Sequence, residues 1–315
     1  MIHTGEFFIM LNIDNEEDKR TIEILDKIKV YNKDAFRIVC RKTKIGRIGE
    51  IVRLHIYVDF IELLGKADIV ESDGDEIMFK VRQNLEVLIG NNEFELILSR
   101  LDYRYDVLIP DKKERELILK LLKKSMTHMN YMKKVSKYRE TIRYFSKSRS
   151  DNIYDKEIER LAKKKKIKPY EKGILRFEAQ VKNEHIKYKN KKLKIGRSFQ
   201  MYFTMEMYKF YMRKMIINVV GDGDFYSLRE AEKIIAKSKI NDKDKNDLRE
   251  FLVYTSCKRS LSKTKERYGR YKFTKYINIL SELGINPIII PEKWRIKRLD
   301  NPLQQLISEV NNKEE

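Results

Sequence analysis

The sequence predicts an α+β protein, in which helices pack on one face of an antiparallel sheet and a mainly helical C-terminal region follows. Three observations predict this architecture. Several segments before residue 183 alternate apolar and polar side chains with the two-residue period of a half-buried strand. A capped helical pattern lies between those segments, and from residue 198 onward the apolar side chains follow helical spacing. The chain is therefore divided into residues 1–197, an α+β domain, and residues 198–315, a helical region.

The N-terminal third predicts strands together with an acidic stretch of helical composition. Phe7 to Ile13 and Ala35 to Arg41 have strand-like composition, and the acidic stretch lies between them. In residues 50–60 an alternating pattern predicts a half-buried strand, with His55 on its polar face. His55 is interpreted as a surface or hydrogen-bonding residue, with a metal ligand as the alternative. Residues 66–93 contain Gly, Asp and Asn clusters that predict turns between short strands.

Two later segments each predict a strand with one largely charged face. These faces carry Arg100, Asp102, Arg104 and Asp106 in the first segment and Arg176, Glu178, Gln180 and Lys182 in the second. If the strands pair side by side, Asp102 and Glu178 come within reach of one hard cation, with arginines beside them to hold phosphate. About 13 Å of strand separate Asp106 from Asp102, which makes Asp106 a weaker ligand candidate. The alternative is a solvated sheet face without an ion.

Tyr154 lies between a short apolar strand pattern and a dense run of lysines. A phenol is a poor nucleophile near neutral pH unless a cation or a metal stabilises its anion. Side chains two apart in an extended chain share a face, so Asn152, Tyr154 and Lys156 are expected to project together. This places Lys156 to stabilise the phenolate. The alternative is that Tyr154, one of 18 tyrosines, is an interfacial aromatic residue.

Helical patterns fill the gap between the strands and the C-terminal region. Asp111 predicts an N-cap, with Glu114 three residues later as its capping-box partner. After Ser198, tyrosines and methionines at helical spacing predict core packing up to Val219. Ser227 with Glu230 forms a second capping box, and two more helices are predicted at residues 244–268 and 271–283. These basic helices, joined by a turn at Gly269, fit either a helix-turn-helix that binds duplex DNA or a plain helical bundle.

Basic residues are concentrated in the later part of the chain. The formal net charge is +20, but residues 1–110 carry 16 Lys/Arg and 21 Asp/Glu, a net charge of −5, and the remainder carries +25. Such an excess indicates phosphate-backbone binding, with a solubilising surface as the alternative. The densest run consists of Lys163, Lys164, Lys165 and Lys166. Together with residues 187–197 it predicts a channel for single-stranded DNA, where Tyr170 or Tyr188 would stack on bases.

Composition also excludes several classes of protein. Two cysteines, Cys40 and Cys257, are too few and too far apart for a disulfide scaffold or a zinc site. The N-terminus lacks the features of a secretion signal, and no run of about 18 apolar residues occurs, so we expect a cytoplasmic protein without membrane insertion. No phosphate-binding Gly-x-x-x-x-Gly-Lys loop is present, so unwinding of DNA would need a separate helicase.

The ordered motifs resemble a known family. Ser99 to Asp102 with Tyr105-Asp106, Ile153 to Lys156 with Glu159, and Leu175 to Lys182 are similar in order to the signature of rolling-circle replication initiators. The nearest members are phage and plasmid replication proteins of the gene II/X family and the related Rep_trans initiators. The resemblance covers about residues 50–295.

The resemblance implies a DNA nicking and joining enzyme with a Rep nuclease-like fold. Tyr154 would be the nucleophile that stays bound to the 5′-phosphate, and Asp102 and Glu178 would hold Mg²⁺ or Mn²⁺. Lys156 and Arg176 would stabilise the developing charge. Many members of the wider family hold their metal with a His-hydrophobe-His motif, which none of the four histidines forms here. This absence favours a carboxylate-rich site.

The partners expected on this basis are origin DNA, both its single-stranded nick site and the flanking duplex, a separate helicase and, as one option, a second copy of the chain. DNA contacts are predicted for Arg100, Arg104, Lys163, Lys164, Lys165, Lys166 and Lys182. Two alternatives stay open. A conjugative relaxase or transposase would use the same tyrosine chemistry, whereas a DNA-binding regulator would form no covalent bond to DNA.

Overall fold

A computed structural model describes residues 1–11, 19–20, 22–23, 30–33, 35–44, 50–90, 94–129, 131–135 and 141–311. It confirms the α+β class, with an antiparallel sheet and a helical C-terminal region. The chain forms two compact units. The first comprises Met1–Arg104, Lys147–Arg149 and Ala179–Lys209, and the second comprises Tyr105–Ser146, Ser150–Glu178 and Phe210–Glu315. This division differs from the predicted boundary between residues 197 and 198.

The elements are numbered here in chain order. The strands are β1 (Ile2–Leu11), β2 (Val30–Lys33), β3 (Phe36–Lys44), β4 (Glu50–Asp59), β5 (Ile97–Leu108), β6 (His128–Met129), β7 (Met132–Val135), β8 (Thr141–Phe145), β9 (Arg149–Asp155), β10 (Ile174–Lys182), β11 (Phe225–Tyr226) and β12 (Arg298–Leu299). The helices are α1 (Phe60–Leu64), α2 (Gly74–Ile89), α3 (Lys112–Leu122), α4 (Lys156–Ala162), α5 (Asn183–Leu193), α6 (Met205–Tyr211), α7 (Asn218–Val220), α8 (Leu228–Lys237), α9 (Asp242–Lys258), α10 (Leu261–Glu282) and α11 (Gln304–Asn311).

The first unit contains the strand order β2-β3-β4-β1-β5, in which each neighbouring pair is antiparallel. The strands expected at residues 35–41 and 50–60 correspond to β3 and β4. β1 begins at Ile2, five residues before the predicted start, and this extension pairs Thr4 with Asp102 of β5. The acidic stretch predicted to be helical lies largely outside the described residues.

The prediction of turns and short strands in residues 66–93 is wrong, because α2 occupies most of this segment. Ile77, Val81, Leu85 and Ile89 recur every four residues, and all four are buried. This stripe gives the helix a continuous apolar face, which outweighs the local turn preference of the Gly and Asp residues at its start.

The second unit contains the strand order β10-β9-β8-β7-β6. The strands predicted around Tyr154 and over residues 176–182 are confirmed as β9 and β10. Asp111 caps α3 as expected, since its carboxylate accepts a hydrogen bond from the N–H of Lys113 at 2.8 Å. Ile118, Leu121 and Leu122 are buried and form the apolar face of this helix.

The C-terminal helices of the second unit pack around their own core. Ser227 caps α8 as predicted, and the core joins Ile235, Phe251, Leu252 and Leu280. The helix predicted at residues 244–268 is interrupted, because Arg259 has a φ of 49° and a new helix starts after Ser260. Gly269, with φ 70° and ψ 168°, breaks the helical path inside α10, as the predicted turn requires. No helix in the part of the chain that the structure describes combines the length and apolarity needed to cross a membrane.

Candidate active site

Tyr154 lies at the end of β9, in the wall of a cavity of about 540 Å³ in the second unit. The phenol is 9% exposed. Asp155 ends the strand because its carboxylate caps α4, accepting hydrogen bonds from the N–H groups of Glu157 (2.9 Å) and Ile158 (3.2 Å). The cavity lining consists of Thr141, Arg143, Asn152, Tyr154, Asp155, Ile158, Glu159, Ala162, Lys163 and Glu178.

Glu178 receives hydrogen bonds from two side chains of β9. The Tyr154 hydroxyl donates to Glu178 Oε2 at 2.9 Å, and Asn152 Nδ2 donates to Oε1 at 3.2 Å. Asn152 and Tyr154 therefore share a face of the strand, as their spacing predicts. The arrangement gives the phenol proton a carboxylate acceptor within hydrogen-bond distance.

The Tyr154 phenol is neutral in this environment. Burial raises its pKa well above the ordinary value of 10, the adjacent Glu178 carboxylate raises the pKa further, and the nearby Arg176 guanidinium opposes both effects. A free phenolate is therefore not the resting state. Nucleophilic attack by this residue requires the proton to leave as the new bond forms.

Lys156 is close to Tyr154, but not for the predicted reason. β9 ends at Asp155, so Lys156 is the first residue of α4 rather than the next residue of the strand. Its Nζ lies 5.8 Å from the centroid of the Tyr154 ring and therefore contacts the aromatic face. Burial and the charge of Arg176 lower the pKa of Lys156, and Glu159 acts in the opposite direction.

Two carboxylates hold Lys156 in this position. Its Nζ donates to Glu159 Oε2 at 2.8 Å and lies 3.7 Å from Glu171 Oε1. Glu171 is buried and accepts hydrogen bonds from Arg160, whose Nε lies 2.8 Å from both carboxylate oxygens. Each charged side chain of this cluster therefore has an oppositely charged neighbour, which makes the partial burial of these charges tolerable.

Glu159→Gln is expected to reduce stability in a pH-dependent way. Burial alone would raise the pKa of Glu159, but hydrogen bonds from Lys156 and Lys163 outweigh it and hold the pKa at about 2. A carboxyl group with a depressed folded-state pKa stabilises the fold above its unfolded pKa, and this contribution is lost as pH falls towards 2. We expect a loss of about 1 kcal/mol at pH 7, after allowance for solvent screening.

Urea unfolding of the wild type and the Glu159→Gln variant between pH 7 and pH 3 checks this expectation. The difference in the free energy of unfolding should shrink below about pH 4.5. Glu232→Gln serves as the control, because Glu232 lies on α8, remote in sequence from this cluster. A Glu159→Gln difference that is constant with pH would contradict the assigned ion pairs.

Arg176 is buried and paired within the second unit. Its Nε and Nη2 each donate to an oxygen of Asp106 at 2.7 Å. The predicted strand geometry separates Asp106 from Asp102 and makes it a weaker ligand candidate. The structure gives it a partner, so Asp106 balances the charge of the arginine assigned to phosphate.

Arg115 was missed by sequence reasoning. This buried side chain of α3 donates to Asp155 Oδ2 at 2.6 Å and to the carbonyl of Ile109 at 2.6 Å, and it also pairs with Glu157. It therefore fixes the start of α4, where Lys156 stands. The available signal was its position three and seven residues before buried Ile118 and Leu122, on the apolar face of the helix.

The first unit holds Asp102, the other carboxylate predicted to bind an ion. Asp102 is 1% exposed, and it accepts a hydrogen bond from Thr4 Oγ1 at 2.5 Å and two from Arg100, Nε to Oδ1 at 2.8 Å and Nη2 to Oδ2 at 2.5 Å. A ring nitrogen of His3 lies within 4.8 Å of an oxygen of Asp102. That separation is near the span of two ligands on one divalent ion.

His3 is the candidate ligand that sequence reasoning overlooked. The predicted first strand begins at Phe7, which leaves His3 outside any element, and His3 has no second histidine near it in sequence with which to form a paired motif. The strand pairing that carries Thr4 opposite Asp102 also brings His3 close. His55 lies near Phe8, with ring centroids 6.5 Å apart, and its interpretation as a surface or hydrogen-bonding residue stays a prediction.

The charged strand faces are less open than the sequence predicts. Asp102, Arg104, Arg176 and Glu178 are all at most 7% exposed. Hydrogen bonds and ion pairs make such burial tolerable, and Arg104 donates to the carbonyl of Ala67. The alternative of a solvated sheet face therefore does not describe these four side chains.

The residues predicted to bind DNA differ in accessibility. Lys163, Lys164, Lys165 and Lys166 are exposed at the end of α4, and Lys163 lines the cavity and pairs with Glu159. Arg104 is buried, Arg100 pairs with Glu6 at 2.7 Å, and Lys182 is half-buried. Of the tyrosines proposed to stack on bases, Tyr188 is 53% exposed and Tyr170 is half-buried.

Comparison of the chain with known protein families and with characterised proteins gave no match in either case. The resemblance to replication initiators thus stays a prediction from the residues.

Proposed function

We propose that this protein is a site-specific DNA strand nicking and joining enzyme with Tyr154 as its nucleophile. The observation that carries the proposal is the hydrogen bond of 2.9 Å from the Tyr154 hydroxyl to Glu178, made in a cavity wall with Lys156 over the ring. This is the geometry of a nucleophile with its proton acceptor and a nearby cation.

The reaction is a transfer of a phosphoryl diester from DNA to tyrosine. The Tyr154 oxygen forms a bond to phosphorus, the bond from phosphorus to the 3′-oxygen breaks, and the phenol proton passes to Glu178. The 3′-oxygen takes a proton from solvent and becomes a free hydroxyl, which primes synthesis. The reverse attack by a 3′-hydroxyl rejoins the strand. Lys156 and Arg176 supply positive charge against the charge that develops on the phosphate.

The residues present suit a divalent ion. Asp102 and Glu178 are the predicted ligands, and within the first unit His3 lies beside Asp102 and would add a nitrogen ligand. When bound, the ion would polarise the scissile phosphate. Oxygen ligands suit Mg²⁺ and Mn²⁺, and the imidazole shifts the preference towards Mn²⁺. Arg100 already donates two hydrogen bonds to the Asp102 carboxylate, so the ion must compete with the guanidinium for it.

Initiation of rolling-circle replication is the process that we propose for this chemistry. A covalent 5′-phosphotyrosine conserves the energy of the broken bond, and the free 3′-hydroxyl starts synthesis on an origin. A relaxase or transposase would use the same chemistry. A non-covalent DNA-binding regulator is the alternative of another class, and the neutral phenol together with the Arg176–Asp106 pair is what favours it.

The enzyme and the regulator differ in whether the protein forms a covalent bond to DNA. Supercoiled DNA that carries the sequences flanking the gene should be nicked in the presence of Mn²⁺, with protein retained on the 5′ side of the break. Mapping of the nick by primer extension defines the origin. A regulator would shift the same DNA in a gel but leave it supercoiled.

Neutralising the lysine run is expected to weaken DNA binding regardless of sequence. The variant carries glutamine at Lys163, Lys164, Lys165 and Lys166. Phosphate contacts carry no sequence information, so affinity should fall alike for unrelated single strands, and the slope of log K against log salt should drop by about 2 to 3. The control carries glutamine at four other exposed lysines, Lys233, Lys237, Lys239 and Lys243. An unchanged slope would identify the run as a solvated surface.

A further inference from the structure

Residues 258–272 of the second unit form a strongly basic surface, called here the α9–α10 surface. The segment contains seven Lys/Arg and a single carboxylate, Glu266. All seven cations are exposed. None of them forms an ion pair with any residue in the part of the chain that the structure describes, whereas Lys275, just beyond the segment, pairs with Asp244 at 2.6 Å. Unbalanced like charges repel, so this surface is suited to a polyanionic partner.

Two breaks in the helical path create the surface. Arg259 ends α9 in a left-handed conformation, and Gly269, which also has a positive φ, ends the first half of α10. The breaks turn the chain twice within eleven residues, which brings Lys258 and Arg267 onto the same Tyr254 ring, at 5.7 Å and 4.5 Å from its centroid. Cations from two helices therefore converge.

A groove of about 760 Å³ borders this surface. Its polar lining consists of Thr127, His128, Ser262, Lys265, Glu266 and Arg270. The Thr127 and Ser262 hydroxyls lie 2.9 Å apart, so a hydrogen bond connects the residue before β6 to α10 in the wall of the groove. Two cations, two hydroxyls and an imidazole around one opening provide donors for phosphate oxygens.

We propose that the α9–α10 surface binds the phosphate backbone of duplex DNA. The inference goes beyond the nicking chemistry and rests on the proposed function only in taking DNA as the partner. In this account the second unit carries two DNA sites, the cavity at Tyr154 for the nicked strand and this surface for the flanking duplex.

The aromatic residues favour a duplex over a single strand. Single-strand sites interleave cations with open aromatic faces on which bases stack. Here Arg267 covers Tyr254 and also lies 5.8 Å from the centroid of Tyr268, so these rings already have cation partners. Tyr271, 84% exposed, is the one large apolar side chain exposed between residues 258 and 272. The scarcity of exposed apolar side chains also argues against a membrane as the partner, because amphipathic helices bind membranes through an apolar face.

The test compares two triple variants in a Tyr154→Phe background, so that binding is measured without cleavage. One carries glutamine at Lys263, Lys265 and Lys272, and the control carries glutamine at Lys237, Lys239 and Lys243, with the same change of charge. Fluorescence anisotropy measures affinity for a 20-base-pair duplex and its single strand over a range of KCl concentrations, and circular dichroism checks folding.

The first variant should bind duplex at least about tenfold more weakly at 150 mM salt, with a salt slope lower by about 2 to 3, while the control changes less than twofold. Single-strand affinity should stay within twofold. Equal losses in both variants, an unchanged duplex affinity, or a single-strand loss as large as the duplex loss would each overturn the proposal. Binding to anionic vesicles in place of duplex would also overturn it. The result does not depend on nicking, so failure of the tyrosine mechanism would leave it interpretable.

Discussion

Tyr154→Phe is expected to abolish the covalent protein–DNA adduct while leaving DNA affinity within about twofold. The change removes one oxygen, which is the proposed nucleophile, and keeps the ring against Lys156. Loss of a nucleophile costs at least about a thousandfold in rate. Denaturing gels of protein incubated with labelled origin strand and Mn²⁺ measure the adduct, and gel shifts measure affinity.

Tyr170→Phe is the matched control, since Tyr170 is also a tyrosine of the second unit with a lysine over its ring, Lys168 at 5.8 Å. It should form the adduct at the wild-type level. Tyr144 is a poorer comparison, because its buried hydroxyl bonds Ser125 at 2.9 Å and also donates to a carbonyl. An adduct that persists in Tyr154→Phe would transfer the nucleophile to one of these two residues.

Glu178→Gln is expected to reduce nicking by about 10² to 10⁴-fold, because it removes the proton acceptor of Tyr154 together with a proposed metal ligand. Asp102→Asn should reduce nicking comparably and weaken Mn²⁺ binding, which electron paramagnetic resonance measures directly. EDTA should stop the wild-type reaction. Nicking without a metal would contradict the proposed mechanism.

Asp106→Asn provides the comparison for both variants. Asp106 pairs with Arg176 and is not assigned to the ion, so its replacement should leave Mn²⁺ affinity unchanged and lower nicking less. Asp102→Asn is also expected to destabilise the fold, since an amide offers only one oxygen to Thr4 and Arg100. Unfolding curves separate that effect from loss of the ion. Undiminished nicking by Asp102→Asn or Glu178→Gln would exclude the two-carboxylate site.

The strands that carry the candidate site could be predicted from sequence because their alternation is strong. β9 and β10 appeared where the two-residue period placed them, and the shared face of Asn152 and Tyr154 followed from it. Helix N-caps such as Asp111 could also be predicted, since a cap depends on one side chain and the first turn of the helix.

The pairings between elements could not be predicted in the same way. Arg176 meets Asp106 and Arg115 meets Asp155 only after the elements have taken a register, which no local pattern specifies. Lys156 illustrates the difference: the two-residue spacing predicts that the strand continues through it, but Asp155 caps a helix, and the lysine lies over the tyrosine ring. Burial of the charged faces likewise depends on partners that are distant in the chain.

The most direct test of the central claim is identification of the residue that becomes bound to DNA. The wild-type protein is incubated with an origin strand and Mn²⁺, the covalent complex is digested with trypsin and nuclease, and the nucleotide-bearing peptide is sequenced by mass spectrometry. The account predicts a phosphodiester-linked nucleotide on Tyr154, attached through its 5′-phosphate. Attachment to any other residue, or a nicked product with no peptide attached, would contradict it.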